Sequence, residues 1–277
     1  MTALLITGGS GLLGVNWAIH RRHVDDVHLV LHSRDVAING VKSHHIDLLD
    51  LKATTDLLED VSPDVVIHTA GLTNIEECEI NPQKSEIANY LIARNVAKVC
   101  ASCSCKLVHI STDHLFEGNS PKATEETVPN PQNVYATHKL AAEEAVLEVC
   151  PAALVVRTNF MGRGPSYRRS FSDKIKDTLE ADNHIHSFDD VFFSPMSIKR
   201  LIDLVHKVLK KDFVGRLHIG SGERISKYDL TVKLAEAYGF NGDCVQPVQA
   251  ARLRNSVKRP LDLSLSSKLL EDLLSIA

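Results

Sequence analysis

The chain has 277 residues, of which 44% are hydrophobic and 24% charged, and this composition is typical of a soluble globular protein rather than a disordered or fibrous one. Its 31 Lys and Arg against 35 Asp and Glu give a net charge of −4, so no broad basic surface for nucleic acid is indicated. Six cysteines, the lack of a secretory signal pattern and the lack of a long apolar run predict a cytoplasmic protein without nucleic-acid or membrane partners.

Strands and helices alternate through the first part of the chain. Short apolar runs predict buried strands at Ala3–Thr7, 27–31, Val65–His68, Lys106–Ile110 and 153–156. Helices are predicted at 12–22, after Pro82 and at Val134–Val149. This alternation predicts an α/β fold of the Rossmann type, in which helices cover both faces of a doubly wound parallel sheet.

Beyond residue 159 the alternation becomes less regular. An irregular loop is expected around Gly162, Gly164 and Pro165. Helices are predicted near 171–179, Ile198–Leu209 and 227–238, and short strands near 184–188, 216–219 and 244–248. We predict a Rossmann domain over residues 1–158 and a smaller C-terminal α/β substrate lobe over 159–277, packed on the sheet edge. The boundary is approximate, and a return of the chain from the lobe into the first domain is compatible with this division.

A glycine-rich turn follows the first predicted strand and opens the first helix. Gly8 permits a tight turn, Gly11 lets a pyrophosphate approach the backbone, and Gly14 lets the helix pack close to the strand. The N–H groups at the start of that helix favour an anionic phosphate. A purely structural turn is the alternative. The residues predicted to line a dinucleotide site here are Gly8, Ser10, Gly11, Leu12, Leu13 and Gly14.

Two later segments bear on which nucleotide is bound. In dinucleotide sites a carboxylate about 20 residues after the turn binds the adenine ribose of NAD, but the residue 20 positions after Gly14 is Arg34. Arg34 and the Ser33 hydroxyl are suited to a 2′-phosphate, which favours NADP(H) and leaves NAD(H) open, because Asp35 is adjacent. Asp47, with Leu48 beside it, is a candidate for binding the adenine amino group or for capping the next helix.

A tyrosine and a lysine are four residues apart at the start of the helix at Val134–Val149. This spacing places Tyr135 and Lys139 on one helical face. An ammonium beside a phenol favours the phenolate, so we expect Lys139 to lower the pKa of Tyr135 towards neutrality. Tyr135 is then a candidate general acid or base.

A hydroxyl stands at the end of the preceding strand. Thr112 follows the strand Lys106–Ile110, and ligands of open α/β sheets bind at the carboxyl ends of the strands. Thr112 is therefore expected to contact the carbonyl oxygen that Tyr135 protonates. A glycine turn, a strand-end hydroxyl and a downstream Tyr/Lys pair, in this order, form a specific combination.

With these motifs the chain resembles an extended short-chain dehydrogenase/reductase and, within that group, the dTDP-4-dehydrorhamnose reductases. The segments that carry the resemblance are TGGSGLLG at 7–14, VIHTAGLT at 66–73, STDHLFEG at 111–118, NVY at 133–135, KLAAE at 139–143, VRT at 156–158 and KRP at 258–260, with LSL at 263–265 and KL at 268–269. They span nearly the whole chain, so the resemblance implies reduction of the 4-keto group of a nucleotide-activated deoxysugar by NAD(P)H.

The resemblance also implies roles for individual residues. Tyr135 would donate a proton to the sugar C4 oxygen, Lys139 would tune Tyr135 and bind the nicotinamide ribose, and Thr112 would orient the carbonyl. The family's remaining cofactor positions correspond to Ala70, Gly71 and Thr73, and Thr73 would also lie near the substrate. The substrate contacts implied are Thr73, Thr112, His114 and Tyr135. A nucleotide-sugar substrate is the implied partner, and a homodimer is left open.

The sequence departs from the family at His114, where a tyrosine beside the substrate is usual. A satisfied surface histidine is the alternative interpretation of this residue. In the irregular loop, Arg163, Tyr167, Arg168 and Arg169 match no family pattern; the adjacent arginines Arg168 and Arg169 are candidates either for a nucleotide diphosphate contact or for a solvated basic face.

Two other functions are weighed against the reductase. A nucleotide-sugar dehydratase or epimerase has the same fold, but the dehydratase pattern requires a glutamate where His114 stands. A non-catalytic, cofactor-binding regulatory subunit is a competitor of a different class, and the intact set of Thr112, Tyr135 and Lys139 argues against it.

No metal site is predicted. Cys100, Cys103 and Cys105 lack a second Cys-x-x-Cys pair and are interpreted as packing residues at a helix end, and no H-E-x-x-H pattern accompanies the fourteen histidines. Ser111 lacks the G-x-S-x-G pattern of a hydrolase nucleophile.

Overall fold

A seven-stranded parallel sheet forms the centre of the computed structural model, which describes residues 1–181, 183–250 and 257–275. Most of its strands are short apolar segments, as expected for a sheet that is buried on both faces, whereas the edge strand Val41–His45 is mostly polar and only partly buried. The strands, numbered along the chain, are β1 (Ala3–Thr7), β2 (Asp26–Leu31), β3 (Val41–His45), β4 (Val65–His68), β5 (Lys106–Ile110), β6 (Leu154–Thr158), β7 (Phe160–Met161), β8 (Ile185–Phe188), β9 (Phe192–Phe193), β10 (Met196–Ser197), β11 (Gly215–Ile219), β12 (Ile225–Ser226), β13 (Val245–Val248) and β14 (Asp262–Leu263).

Helices connect the strands. One π-helical turn, Ile87–Leu91, lies between two of them, and a short 3₁₀ turn spans Gly242–Cys244. The α-helices are α1 (Leu12–Arg21), α2 (Leu51–Val61), α3 (Ile75–Ile80), α4 (Pro82–Glu86), α5 (Ile92–Ser102), α6 (Val134–Val149), α7 (Phe171–Glu180), α8 (Ile198–Leu209), α9 (Lys227–Ala237) and α10 (Lys268–Leu274).

The order of the main sheet is β11-β6-β5-β4-β1-β2-β3. The order reverses between β1 and β4, and this switch point is where open α/β sheets bind ligands. Alternate strand residues enter two separate apolar cores, one on each face: Leu4 and Ile6 of β1 belong to one, and Leu5 belongs to the other. The predicted Rossmann-type doubly wound fold is therefore confirmed.

Three elements beyond residue 159 pack with the first domain. Strand β11 pairs in parallel with β6, α8 packs against α1, and α10 packs against β11. The remaining elements form small two- and three-stranded sheets with α7 and α9 beside them. The chain thus returns to the main sheet after residue 159. The division into two domains at 158/159 stays a prediction.

Helix α6 carries the Tyr/Lys pair, and its start is fixed locally. The Asn133 side chain caps the helix by accepting a hydrogen bond from the Ala136 N–H at 2.9 Å. Tyr135, Lys139 and Glu143, spaced by four residues, are all buried. The face of α6 that carries these three polar side chains therefore points into the protein.

Candidate active site

The glycine turn between β1 and α1 has the geometry that a pyrophosphate requires. Gly8 has a φ of +67°, and a Cβ there would lie 2.7 Å from the Ala70 nitrogen. A Cβ on Gly14 would lie 2.6 Å from the Gly8 carbonyl oxygen. Helix α1 begins after Gly11 without a side-chain cap, so its first N–H groups face outward unpaired by a side chain. This turn fits a dinucleotide, with Ser10, Leu12 and Leu13 flanking the glycines.

The residues predicted to select the nucleotide lie at the ends of β2 and β3. Ser33 and Arg34 are exposed, and the Arg34 guanidinium stacks on the Tyr167 ring, 4.6 Å from its centroid. The Tyr167 hydroxyl donates to the Ser10 carbonyl at 3.1 Å, so one side chain links the glycine turn to Arg34. Asp35 pairs with His45 at 3.1 Å. The positive charge of Arg34 therefore lies beside the glycine turn.

Asp47 does not cap the next helix. Its carboxylate accepts from the Leu49 N–H at 2.9 Å, in a local turn, whereas Asp50 accepts from Ala53 N and caps α2. Capping by Asp47 is therefore wrong, and contact with the adenine amino group stays a prediction. Leu48 beside it is buried in a core.

Thr112 and Tyr135 are brought together at the carboxyl end of β5. Both side chains are buried, and the Thr112 hydroxyl lies near enough to the Tyr135 phenol to act on its pKa. Burial raises the pKa of Tyr135 to about 12, although the neighbouring Thr112 hydroxyl acts in the opposite direction. Tyr135 therefore holds its proton at neutral pH.

The ammonium of Lys139 points towards the sheet. Lys139 Nζ donates to the Ile110 carbonyl oxygen at 2.8 Å and lies 3.2 Å from His109 Nε2. The expectation that Lys139 lowers the pKa of Tyr135 towards neutrality is wrong, because burial dominates the environment of Tyr135 and raises its pKa. Burial also lowers the pKa of Lys139 to about 8, with Glu143 opposing it.

A buried carboxylate and an imidazole lie next to Thr112. Asp113 accepts a hydrogen bond from Asn159 Nδ2 at 2.7 Å, and burial raises the pKa of Asp113. The His114 ring lies edge-on to the Tyr135 ring at 6.0 Å between centroids. His114 is 16% exposed, and its Nδ1 has no hydrogen-bond partner within the described residues, so it is not a satisfied surface histidine.

The β4–α3 loop lies at the switch point. Ala70 N is 3.4 Å from the Thr7 hydroxyl, and Gly71 and Thr73 are exposed. A Cβ on Gly71 would lie 2.8 Å from Asn89 Oδ1, so only glycine fits there without displacing Asn89. Their cofactor contacts, like the role of Thr73 towards substrate, stay predictions.

The comparisons with known proteins agree with this geometry. Residues 1–277 match the family described as RmlD substrate binding domain. The chain belongs to this family. The predicted resemblance to the extended short-chain dehydrogenase/reductases of the dTDP-4-dehydrorhamnose reductase type is confirmed.

Three proteins illustrate what this RmlD-family chain is similar to. The crystal structure of a hypothetical dTDP-4-dehydrorhamnose reductase from Sulfolobus tokodaii has 30% identity and a TM-score of 0.86, over 99% of this chain and 95% of that one. The probable low-salt glycan biosynthesis reductase Agl14 of Haloferax volcanii is 28% identical over 262 residues, 92% of this chain and 86% of the relative. Methionine adenosyltransferase 2 subunit beta of Xenopus tropicalis is 29% identical over 258 residues, 88% of this chain and 74% of the relative.

One buried residue of the RmlD-family site was not predicted from the sequence. Asn89, in the π-helical turn, donates to the Leu72 carbonyl at 3.0 Å and accepts from the Leu72 N–H at 2.9 Å. It fixes the loop that carries Ala70 and Gly71. An amide inside an otherwise apolar helical face is the signal that would have identified it, and a π-helical turn often marks a functional site.

The irregular loop contributes less than its basic residues suggest. Arg169 pairs with Asp177, and the Arg163 carbonyl accepts from Asn16 Nδ2 at 3.0 Å. Arg168 is exposed. A diphosphate contact by these residues stays a prediction.

The clustered cysteines lie at the end of α5. Cys100 is buried, and Cys103 and Cys105 are half-buried at the end of α5. Within 1–181, 183–250 and 257–275, no cluster of three His, Cys, Asp or Glu side chains is arranged to hold a metal ion. Over the same ranges, no helix has the length and apolar character needed to cross a membrane.

A substitution at Gly14 tests the turn. Gly14→Ala is expected to weaken NADPH binding about tenfold or more, since its methyl group would overlap the Gly8 carbonyl and such overpacking costs ~1–3 kcal/mol. Titration of cofactor fluorescence measures the dissociation constant. In the control Gly242→Ala, the nearest atom to the new Cβ is a Val232 methyl at 3.1 Å, and binding should be unchanged. Equal binding by both variants would contradict a dinucleotide at this turn.

Proposed function

We propose that the protein reduces the 4-keto group of a nucleotide-activated deoxysugar with NADPH. The observation that carries the proposal is the pair of neighbouring, buried side chains Thr112 and Tyr135 at the carboxyl end of β5, two strands from the glycine turn. The similar Sulfolobus tokodaii protein is described as a hypothetical dTDP-4-dehydrorhamnose reductase, and the Haloferax volcanii relative as a probable reductase. Both descriptions support reduction rather than hydrolysis or elimination.

The state of Tyr135 suits the direction of the reaction. A reduced carbonyl must gain a proton at oxygen, and Tyr135, with a pKa of about 12, carries one throughout the neutral range. Thr112 would hold the carbonyl oxygen beside the phenol. A nicotinamide bound at this site would supply the hydride. Lys139 would bind the nicotinamide ribose and keep a positive charge near the developing alkoxide.

The glycine turn and Arg34 support the choice of cofactor. A dinucleotide at the turn would extend its adenosine towards the end of β2, where Ser33 and Arg34 are exposed. A guanidinium binds phosphate through paired, charge-assisted hydrogen bonds. NADPH is therefore favoured over NADH.

Replacement of Arg34 tests this preference. Arg34→Ala is expected to weaken NADPH binding about 10–100-fold, the equivalent of one hydrogen-bonded charge pair, and to leave NADH binding nearly unchanged. The dissociation constants of both cofactors are measured by fluorescence titration. Arg200→Ala, on an exposed position of α8, is the matched control. An equal loss for both cofactors would remove the basis for the NADPH preference.

The reaction itself is tested with candidate substrates. The protein is mixed with NADPH and with dTDP- or UDP-linked 4-keto-6-deoxysugars, and the absorbance of the reduced nicotinamide is followed. Loss of absorbance that requires the sugar supports the reductase.

The His114 ring lies edge-on against the Tyr135 ring, so we propose that His114 contacts the sugar and contributes to the choice of substrate.

A regulatory subunit is the second candidate function. The Xenopus tropicalis relative, named as a methionine adenosyltransferase subunit, is as similar in sequence as the named reductases are. NADPH binding without consumption by any 4-keto sugar, together with a tight complex with a methionine adenosyltransferase catalytic subunit, would favour this candidate. The buried Thr112–Tyr135 pair favours the reductase.

We also propose a cytoplasmic location and name a homodimer as the candidate oligomeric state. Both are tested directly, by cell fractionation and by analytical ultracentrifugation.

A further inference from the structure

A row of three polar side chains crosses the central sheet on the face covered by α6. Thr7, His68 and His109 are paired neighbours on β1, β4 and β5. All three are buried, with 1% exposure or less. The preceding residues on the same face, Leu5 and Val66 among them, are apolar core residues. The proposed reaction gives no role to the two imidazoles.

The row forms a continuous set of contacts that ends at the candidate active site. The Thr7 hydroxyl lies 2.7 Å from His68 Nδ1, and the rings of His68 and His109 stack at 5.3 Å with an angle of 20°. His109 Nε2 then lies 3.2 Å from Lys139 Nζ. The strand that leads into the glycine turn is thus connected to the lysine through two stacked imidazoles.

The contact with Lys139 determines the protonation of His109. An ammonium has three N–H donors and no acceptor, so His109 Nε2 must accept. His109 is then neutral, with its proton on Nδ1. Burial and the charge of Lys139 both lower the pKa of His109 well below its ordinary value, which agrees with the neutral ring.

We propose that His109, held in place by its stack on His68, is a positioning residue for Lys139. Its Nε2 and the Ile110 carbonyl accept two of the three ammonium N–H groups. The third N–H is thereby directed away from the sheet, towards a ligand at the end of β5. The destination of this third N–H rests on the proposed function, whereas the state of His109 does not.

A purely structural role does not account for the pair. His68 Nε2 and His109 Nδ1 have no hydrogen-bond partner among the described residues, and a buried unpaired polar atom lowers stability. Apolar side chains at both positions would extend the core that Leu5 and Val66 already form. The contact of His109 with Lys139 is what an apolar residue would not supply.

Lys139 interacts electrostatically with titratable groups on two sides. On its own helix, Glu143 raises the pKa of Lys139. On the sheet, the charge of Lys139 lowers the pKa values of His109 on β5 and His68 on β4. A hydrogen bond to the charged form of a group favours that form. Loss of the His109 acceptor is therefore expected to make Lys139 lose its proton at lower pH.

Three variants test the proposal. His109→Leu removes the acceptor, and His109→Gln keeps one in its amide oxygen. His206→Leu is the control: it removes a half-buried imidazole on helix α8 that accepts a hydrogen bond from the Trp17 indole N–H at 3.1 Å. Thermal unfolding confirms that each variant is folded before any other measurement.

The first measurement is independent of catalysis. In ring-¹⁵N-histidine spectra of the whole protein, assigned with His109→Gln, the His109 signals are expected to show the neutral ring with its proton on Nδ1 from pH 6 to pH 8. A His109 ring that is charged in this range, or that carries its proton on Nε2, would overturn the proposal.

The second measurement is the pH dependence of NADPH binding and of turnover. In His109→Leu, the loss of binding at high pH should begin about one pH unit lower than in the unmodified protein. His109→Gln should restore most of the profile, and His206→Leu should leave it unchanged. A profile for His109→Leu that matches the unmodified protein would also overturn the proposal.

The two measurements separate this inference from the proposed function. If no sugar is turned over, the proposed reductase function is contradicted. The ring-nitrogen spectra and the pH dependence of NADPH binding would still decide the role of His109.

Discussion

Tyr135→Phe is expected to lower turnover by about 10²–10⁴-fold, the usual contribution of a positioned general acid. The variant removes one hydroxyl from a buried ring and leaves the glycine turn untouched. The dissociation constant of NADPH should therefore stay within about twofold, so that the loss appears in kcat rather than in cofactor binding. Steady-state rates and cofactor titration measure the two effects separately.

Tyr238→Phe supplies the control for this variant. Tyr238 is 37% exposed at the end of α9, so removal of its hydroxyl should change neither rate nor binding. If Tyr135→Phe keeps turnover within a few-fold of the unmodified protein, Tyr135 is not the proton donor, and the acid must come from another group near the carbonyl.

Much of the framework was predictable because it depends on local chemistry. Helix α6 was predicted at the observed bounds, Val134–Val149, and Asn133 supplies its cap in the structure. The glycine turn was predictable because Gly8 needs a left-handed backbone and Gly14 needs close contact with the turn. These requirements act within a few residues, so the sequence itself records them.

The features that the sequence did not predict depend on contacts between distant parts of the chain. The spacing of Tyr135 and Lys139 indicated a shared helical face, but the sequence does not indicate that the lysine points to Ile110, 29 residues earlier. The burial of each side chain, rather than the charge of its neighbour, governs the pKa of both Tyr135 and Lys139. The place of β11 in the main sheet and the His68–His109 stack depend on strand pairing in the same way.

A buried ion pair anchors the helix that carries the catalytic candidates. Glu143, two turns after Tyr135, accepts from Arg157 Nε at 3.0 Å and from Arg157 NH2 at 2.7 Å. The side chains of Glu143 and Arg157 are 0% and 2% exposed. Arg216 also reaches Glu143, at 3.2 Å, but it is about one-third exposed. The Glu143–Arg157 pair joins α6 to β6.

Arg157→Met is expected to reduce the free energy of unfolding by about 3–5 kcal/mol, because it leaves the Glu143 carboxylate buried without its main partner. Urea or guanidinium unfolding, followed by circular dichroism, measures the change. Arg169→Met is the matched control, since its pair with Asp177 lies at the surface, where ion pairs contribute ~0–1 kcal/mol.

The double variant Arg157→Met with Glu143→Leu identifies the cause. When both charges are replaced by apolar groups, no carboxylate remains uncompensated, and stability should recover most of the loss seen in Arg157→Met. If the double variant is as unstable as Arg157→Met, the loss comes from packing around Phe116, whose ring lies 5.4 Å from the guanidinium, and not from the charge of Glu143. Because Glu143 also raises the pKa of Lys139, the double variant should in addition lose NADPH binding at lower pH than Arg157→Met does.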